Sequence, residues 1–226
     1  MKWEKAHSPA YSTLKIKLDQ GDCIVAEPGA MITTIGDIKV KTGIKGGGLG
    51  SALKRAFLGG ESIFMNEYIG GPRGGEIWLA PPLPGDISYV ELKGDSISVQ
   101  DTAFIAYHGN IKVDTAFRGF RGLLAEGEIF WLKLSGVGGV WFGAYGGLDV
   151  IDLNPGEKVI IDNFHAVAIE DGVKWKIRKF GGWKTFFLGG EGIVVEATGP
   201  GKVFIQSRVL PEFARLLAKF IPAKRD

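Results

Sequence analysis

The chain has 226 residues, 45% hydrophobic and 23% charged, with a formal net charge of +2, which is enough length for a sizeable core and the balance of an ordinary globular protein. No apolar run reaches the ~18 residues of a membrane-spanning helix, and the lone cysteine, Cys23, excludes an internal disulfide framework and a cysteine-based zinc site. So small a charge, spread along the chain, does not by itself point to nucleic acid.

Met1 to His7 carries charges with no apolar segment behind them, so neither a secretory signal nor a transit peptide is expected, and a cytoplasmic address follows by default. Alternating apolar positions then begin: Leu14, Ile16 and Leu18, a Gly21-Asp22 turn, and Ile24. The same pattern returns as Ile87, Val90 and Leu92 before Gly94-Asp95 and Ile97, and as Val150 and Leu153 before Asn154-Pro155-Gly156-Glu157 and Val159. Period-two patterning broken by such turns predicts β-hairpins with one buried face. Cys23 reads as a small apolar filler in the first of these strands. Nine residues after each turn glycine stand Ala30, Ala103 and His165, followed by the apolar pairs Met31-Ile32, Phe104-Ile105 and Ala166-Val167. His165 is therefore expected on a strand, where its counterparts are alanines. Further strands are predicted at Ile38 to Lys41, Ile111 to Val113 and Val173 to Ile177.

A glycine-bearing loop follows in each case: Gly43 to Gly60, Phe117 to Leu123, and Arg178 to Phe187. All three mix glycine, basic and aromatic or aliphatic residues. Beyond them the chain repeats itself most openly, Leu58 to Gly70 returning as Leu124 to Gly136 and again from Leu188 to Gly199, and each copy continues into an apolar strand. Trp78, Trp141 and Phe204 align with successive spacings of 63 residues. Fixed self-similarity of this kind predicts one structural unit written three times. After the last strand, Pro211 to Ile221 has apolar residues at helical spacing, starts at a proline and stops before Pro222, and so predicts an amphipathic helix packed on the open end of the β body.

The chain offers little dedicated chemistry. The Gly46 to Gly50 cluster lacks the spacing of a dinucleotide fingerprint, and Gly181 to Thr185 has no glycine-led phosphate loop. The three histidines, His7, His108 and His165, do not form a metal-ligand pattern, and no nucleophile elbow is present. Asp22, Asp95 and Glu157 recur at turns, where bonding to the local backbone accounts for them. No catalytic, cofactor-binding or metal-binding residue is assigned. One feature is geometric. Three units around a common axis would bring their loops to one face, setting Lys54, Arg55 and Phe57 beside Arg118, Phe120 and Arg121 and beside Arg178, Lys179, Trp183 and Lys184. Such a basic, aromatic-studded face suits an anionic surface or an acidic partner.

Glu27-Pro28-Gly29-Ala30-Met31, the run from Gly46-Gly47-Gly48-Leu49 through Gly59-Gly60-Glu61-Ser62-Ile63-Phe64, Phe130 to Gly136, and Leu153-Asn154-Pro155-Gly156-Glu157 occur in order over nearly the whole chain. Together they resemble the family named for altered inheritance of mitochondria, long known as a domain of unknown function. The resemblance implies three similar β domains in a fold related to the trp RNA-binding attenuation protein, a compact double-stranded β-helix. That relative binds tryptophan and RNA as a ring, but no residue set for either ligand carries over onto this chain. Asn163-Phe164-His165 also departs from the Gly-His pairing usual in the family.

The expectation is an all-β pseudo-trimer of β-sandwich or short double-stranded β-helix repeats around a pseudo-threefold axis. Its parts are residues 1–82, 83–146 and 147–209, with a helix and tail at 210–226, forming one body. The expected function is a non-enzymatic scaffold or binding protein that engages a protein complex or an anionic membrane surface through the loop face. The alternative is an RNA- or small-ligand-binding module related to the ring-forming proteins. An enzyme with a pocket between repeats would require a buried polar cluster with displaced titration. No cofactor is expected, no motif supports nucleic acid as a partner, and the oligomeric state is open.

Overall fold

A computed structural model describes residues 1–44, 64–118, 130–179 and 193–221, with backbone alone at 44, 64 and 115–118. The described residues are mostly strand: β1 Lys2–Ala6, β2 Thr13–Leu18, β3 Cys23–Ala26, β4 Met31–Ile44, β5 Phe64–Leu79 and β6 Ile87–Gln100. After a 3-10 turn at Asp101–Ala103 come β7 Phe104–Arg118, β8 Phe130–Gly143, β9 Leu148–Leu153 and β10 Lys158–Asp162. Then follow β11 Ala166–Glu170, β12 Lys174–Lys179, β13 Ile193–Thr198, β14 Gly201–Gln206 and one helix, α1, Leu210–Ala218. The alternation in β2 shows why these segments are strands. Leu14, Ile16 and Leu18 are fully buried while Lys15 and Lys17 face outward, and each such side chain contributes about 1.5–3 kcal/mol on burial.

The pairing follows one scheme. β5 lies between β4 on one edge and β2 and β3 on the other. β8 lies likewise between β7 and β6. In the last third, β14 lies between β11 and β9, and β13 between β12 and β10. A bulge recurs at the same point in each: Met31 and Thr33 face Leu79 and Trp78, Phe104 and Ala106 face Phe142 and Trp141, and Ala166 and Ala168 face Ile205 and Phe204. Two seams join these groups, β3 against β7 and β6 against β11. The cores cross the seams too. Trp141 packs among Leu14, Ile16, Ile24 and Ile77, Phe204 among residues of β6 to β8, and Trp131 among Ile161, Val195 and Val203.

Four sequence expectations need correction. The Gly-Asp and Pro-Gly segments are not hairpin turns. β2 and β3 both pair with β5 rather than with each other, and β6 runs through Gly94-Asp95 along β8 with a register shift between Lys93 and Ser96. These glycines, at φ 84°, 102° and 80° for Gly21, Gly94 and Gly156, bend one long strand instead of reversing the chain. The carboxylates fix the bends as expected: Asp22 accepts from the Asp19 N–H at 3.0 Å, Asp95 from Lys93 at 2.8 Å, and Glu157 from Asn154 at 2.9 Å. Cys23 is not a buried filler. It is exposed at the start of β3. His165 lies in the turn before β11, not on a strand, and its Nδ1 meets the Gln206 carbonyl at 2.6 Å. The helix forms as predicted but buries none of its residues; Phe213 rests edge-on against Tyr145 while Leu210, Leu216 and Leu217 stay exposed.

Candidate binding face

The loops singled out in the sequence connect β4 to β5, β7 to β8 and β12 to β13, the same step in the pairing scheme each time. Lys54, Arg55, Phe57, Phe120, Arg121, Trp183 and Lys184 lie outside the described residues. Arg118 ends β7 opposite Phe130, described by its backbone alone. Arg178 and Lys179 end β12 opposite Val194 and Ile193. Arg178 is not a loose cation. Its Nε meets Glu196 Oε2 at 2.5 Å and its Nη1 donates to the Lys179 carbonyl, while Lys176 Nζ approaches the same carboxylate at 3.1 Å. Hydrogen bonding from Arg178 and then Lys176 holds the Glu196 carboxyl below the usual carboxylate range.

The strands leading into these loops carry a signal that the sequence reading passed over. Lys39, Lys112 and Lys174 occupy matching positions, opposite Ile69, Ser135 and Thr198, and all three are exposed. Each directly follows an apolar residue, Ile38, Ile111 or Val173, so the pattern is visible once the three strands are aligned. Ile111 and Val173 are buried, and alternation on a strand turns the following lysine to the opposite face. Lys112 pairs with Asp114 at 2.6 Å, and Lys41 adds a further exposed cation on β4.

A polar cavity of about 540 Å³ opens where β3 meets β7, lined by Asp22, Cys23, Glu67, Tyr107, His108 and Asn110 among others. His108 Nε2 lies 3.0 Å from the Tyr89 hydroxyl, which in turn meets Glu91, and Tyr89 packs against Trp141 and Trp3. Burial lowers the His108 pKa, so the ring is neutral at physiological pH. Burial, then Glu67 and Cys23, push the Tyr107 phenol up to about 12. At that value Tyr107 stays protonated and can offer a hydrogen bond. Beside the seam, burial and then Asp101 push the Glu27 carboxyl up to about 7. Its backbone N–H donates to the Ile105 carbonyl at 2.9 Å, continuing the β3–β7 ladder. Glu27, Gln100 and Asp162 hold matching places at the ends of β3, β6 and β10, a correspondence that aligning the three turns reveals.

A second, more apolar groove of about 750 Å³ runs between Tyr11, Pro84, Tyr145, His165, Arg208 and α1. Tyr145 follows the end of β8 remote from Phe130, so this groove lies away from the strand ends that bear the loops. No described helix is long and apolar enough to cross a membrane. Among the described residues, no three His, Cys, Asp or Glu side chains are grouped as metal ligands.

The chain resembles known proteins along its full length. An uncharacterized protein of Streptococcus pyogenes serotype M6 is 28% identical over 233 residues, spanning 100% of this chain and 93% of that protein. A crystal structure of a Streptococcus pyogenes protein, solved as a structural genomics target, shares the fold with a TM-score of 0.80 at 27% identity, covering 97% of this chain and 99% of that one. The model of the family described as Mitochondrial biogenesis AIM24 matches residues 3–208. The chain therefore belongs to the Mitochondrial biogenesis AIM24 family.

Proposed function

We propose that this protein is a non-enzymatic scaffold built from three copies of one β unit around a common axis, and that it docks on an anionic membrane surface through the end bearing the three loops. The observation that carries this reading is the matched register of Lys39, Lys112 and Lys174, one exposed lysine on the strand entering each loop. Equivalent residues of units related by rotation share one face, so these three lysines lie together on the strands that lead into 45–63, 119–129 and 180–192, segments that carry basic and aromatic residues in the sequence. Cations supply long-range attraction to an anionic surface, and aromatic rings supply contact at the headgroup level.

Flotation of the full chain with phosphatidylserine-containing and purely zwitterionic vesicles tests this. Each lysine near an anionic surface is worth about 1 kcal/mol. Substituting Lys39, Lys112 and Lys174 by Gln together therefore weakens binding by about a hundredfold. Neutralising Lys54, Arg55 and Arg121 has an effect of the same sign, and added salt abolishes binding. Equal flotation with zwitterionic vesicles, or indifference to both sets of substitutions, contradicts the proposal. Retention of RNA in place of vesicles would transfer the reading to the nucleic-acid alternative.

A further inference from the structure

The two seams inside the chain share one register, and one place in it is filled differently. Across the first seam Val25 faces Tyr107; across the second Ser98 faces Ile169. Val25 and Ser98 each stand four residues after a turn glycine, so Tyr107 and Ile169 are counterparts. Both are buried, Tyr107 at 5% exposure and Ile169 at 1%. An isoleucine therefore satisfies the packing at this place, and the phenol hydroxyl is a polar group that the seam does not require. Among the described residues that hydroxyl makes no hydrogen bond; the side chain meets the Phe104 ring and feels the charge of Glu67 and Cys23. A buried hydroxyl without a partner is costly, and Tyr107 borders open space.

That space is the cavity of about 540 Å³ at the first seam, within the size range of small-molecule sites. Its lining defines what fits. Glu67 faces Val25 from β5 as Tyr107 does from β7, so the two side chains lie on one face of the sheet. Lys41 stands opposite Glu67 on β4, and a carboxylate, with about four acceptor sites, serves more than one donor. Asp22 is held by the Met1 ammonium at 2.7 Å. Tyr89 donates its proton to Glu91, so its oxygen meets His108 Nε2 as an acceptor. The neutral imidazole then carries its proton on Nε2 and keeps Nδ1 as an acceptor. The cavity wall is thus rich in acceptors around one unmatched O–H donor.

We propose that this cavity binds a small neutral polyhydroxylated molecule, a polyol or a monosaccharide. A ligand hydroxyl is acceptor and donor in one atom, so it accepts from Tyr107 and donates to Glu67. Other ligand classes fail on that pair. A carboxylate or phosphate meets Glu67 and Asp22 with like charge, and an ammonium, having no acceptor, leaves the Tyr107 proton unmatched. Further hydroxyls of the same molecule have His108 and Asn110 as partners on the wall. The second seam does not repeat the site, because Lys133 and Ile169 hold the places of Glu67 and Tyr107. The proposal draws on neither the three loops nor the lysines that lead into them.

Cys23 is exposed on the cavity wall and is the chain's only cysteine, so its alkylation by iodoacetamide in the full chain reads occupancy of this site. D-Glucose, D-ribose and myo-inositol are the probes, with putrescine and succinate as charged controls. At least one of the three polyols slows alkylation in a saturable way, and the controls do not. Tyr107→Phe weakens that protection by about three- to tenfold. It does not lower the thermal unfolding midpoint, since the hydroxyl it removes has no hydrogen-bond partner among the described residues. Glu67→Gln weakens protection by about tenfold. Failure of all three polyols to protect Cys23 overturns the proposal, as does equal protection by either control or protection undiminished by either substitution. A lowered midpoint in Tyr107→Phe would show the hydroxyl serving the fold and overturns it as well.

Discussion

Met31–Ile35 and Phe104–His108 hold the same place in the pairing scheme, and they meet opposite fates. Met-Ile-Thr-Thr-Ile bonds β5 on one edge and lies exposed along the other, whereas Phe-Ile-Ala-Tyr-His bonds β8 on one edge and β3 on the other, with its first four residues buried. The difference does not lie in apolar character, since both begin with an apolar pair. It lies in the neighbour: a strand along the second edge removes one segment from water, and the other segment lacks it. Exposure at β4 is a property of its neighbours rather than of local sequence.

The comparison breaks most visibly under an inserted charge. Ala168 is fully buried at the closed seam, and Thr33 is its counterpart on the open edge. Ala168→Asp places an unpaired carboxylate in the core and costs about 3 kcal/mol or more. Thr33→Asp costs about 0.5 kcal/mol or less in the single chain. Urea denaturation at low protein concentration separates the two, and equal costs would show that the two edges are not different environments.

A smaller effect sharpens the contrast within the closed seams. Glu27 follows β3 at the first seam where the second has buried Gln100. Because the folded carboxyl is raised from 4.5 to about 7, the native state holds its proton more tightly than the unfolded chain. Stability therefore falls as pH climbs from about 4.5 to about 7, levels off above that, and regains the full contribution below the unfolded value. Glu27→Gln gives the first seam the residue of the second. It raises stability by about 1–3 kcal/mol at pH 8 and changes it little at pH 4. Urea titrations at the two pH values check this; a gain of equal size at both would place Glu27 in a solvated setting.

Much of this was legible in the sequence because the signals that repeat are those that backbone geometry demands. Glycine at Gly21, Gly94 and Gly156 and apolar alternation around it recover the strands. The hairpin expectation fails because a glycine at positive φ beside a carboxylate marks a strand bend as readily as a reversal, and only the partner of each half distinguishes the two. The matched lysines on the loop-entering strands are open to view once Ile38, Ile111 and Val173 are aligned. The ten residues proposed for the face could be followed only in part, since seven lie outside the described structure. The open edge of β4 was hidden for a plainer reason. Met31-Ile32 looks as buriable as Phe104-Ile105, and nothing local to it says that no strand comes alongside.

Vesicle flotation measures the binding face most directly. With phosphatidylserine-containing vesicles the account predicts that the full chain floats, and that Lys39→Gln, Lys112→Gln and Lys174→Gln together weaken its binding by about a hundredfold. Equal flotation with zwitterionic vesicles, or binding unchanged by the three substitutions, would contradict it.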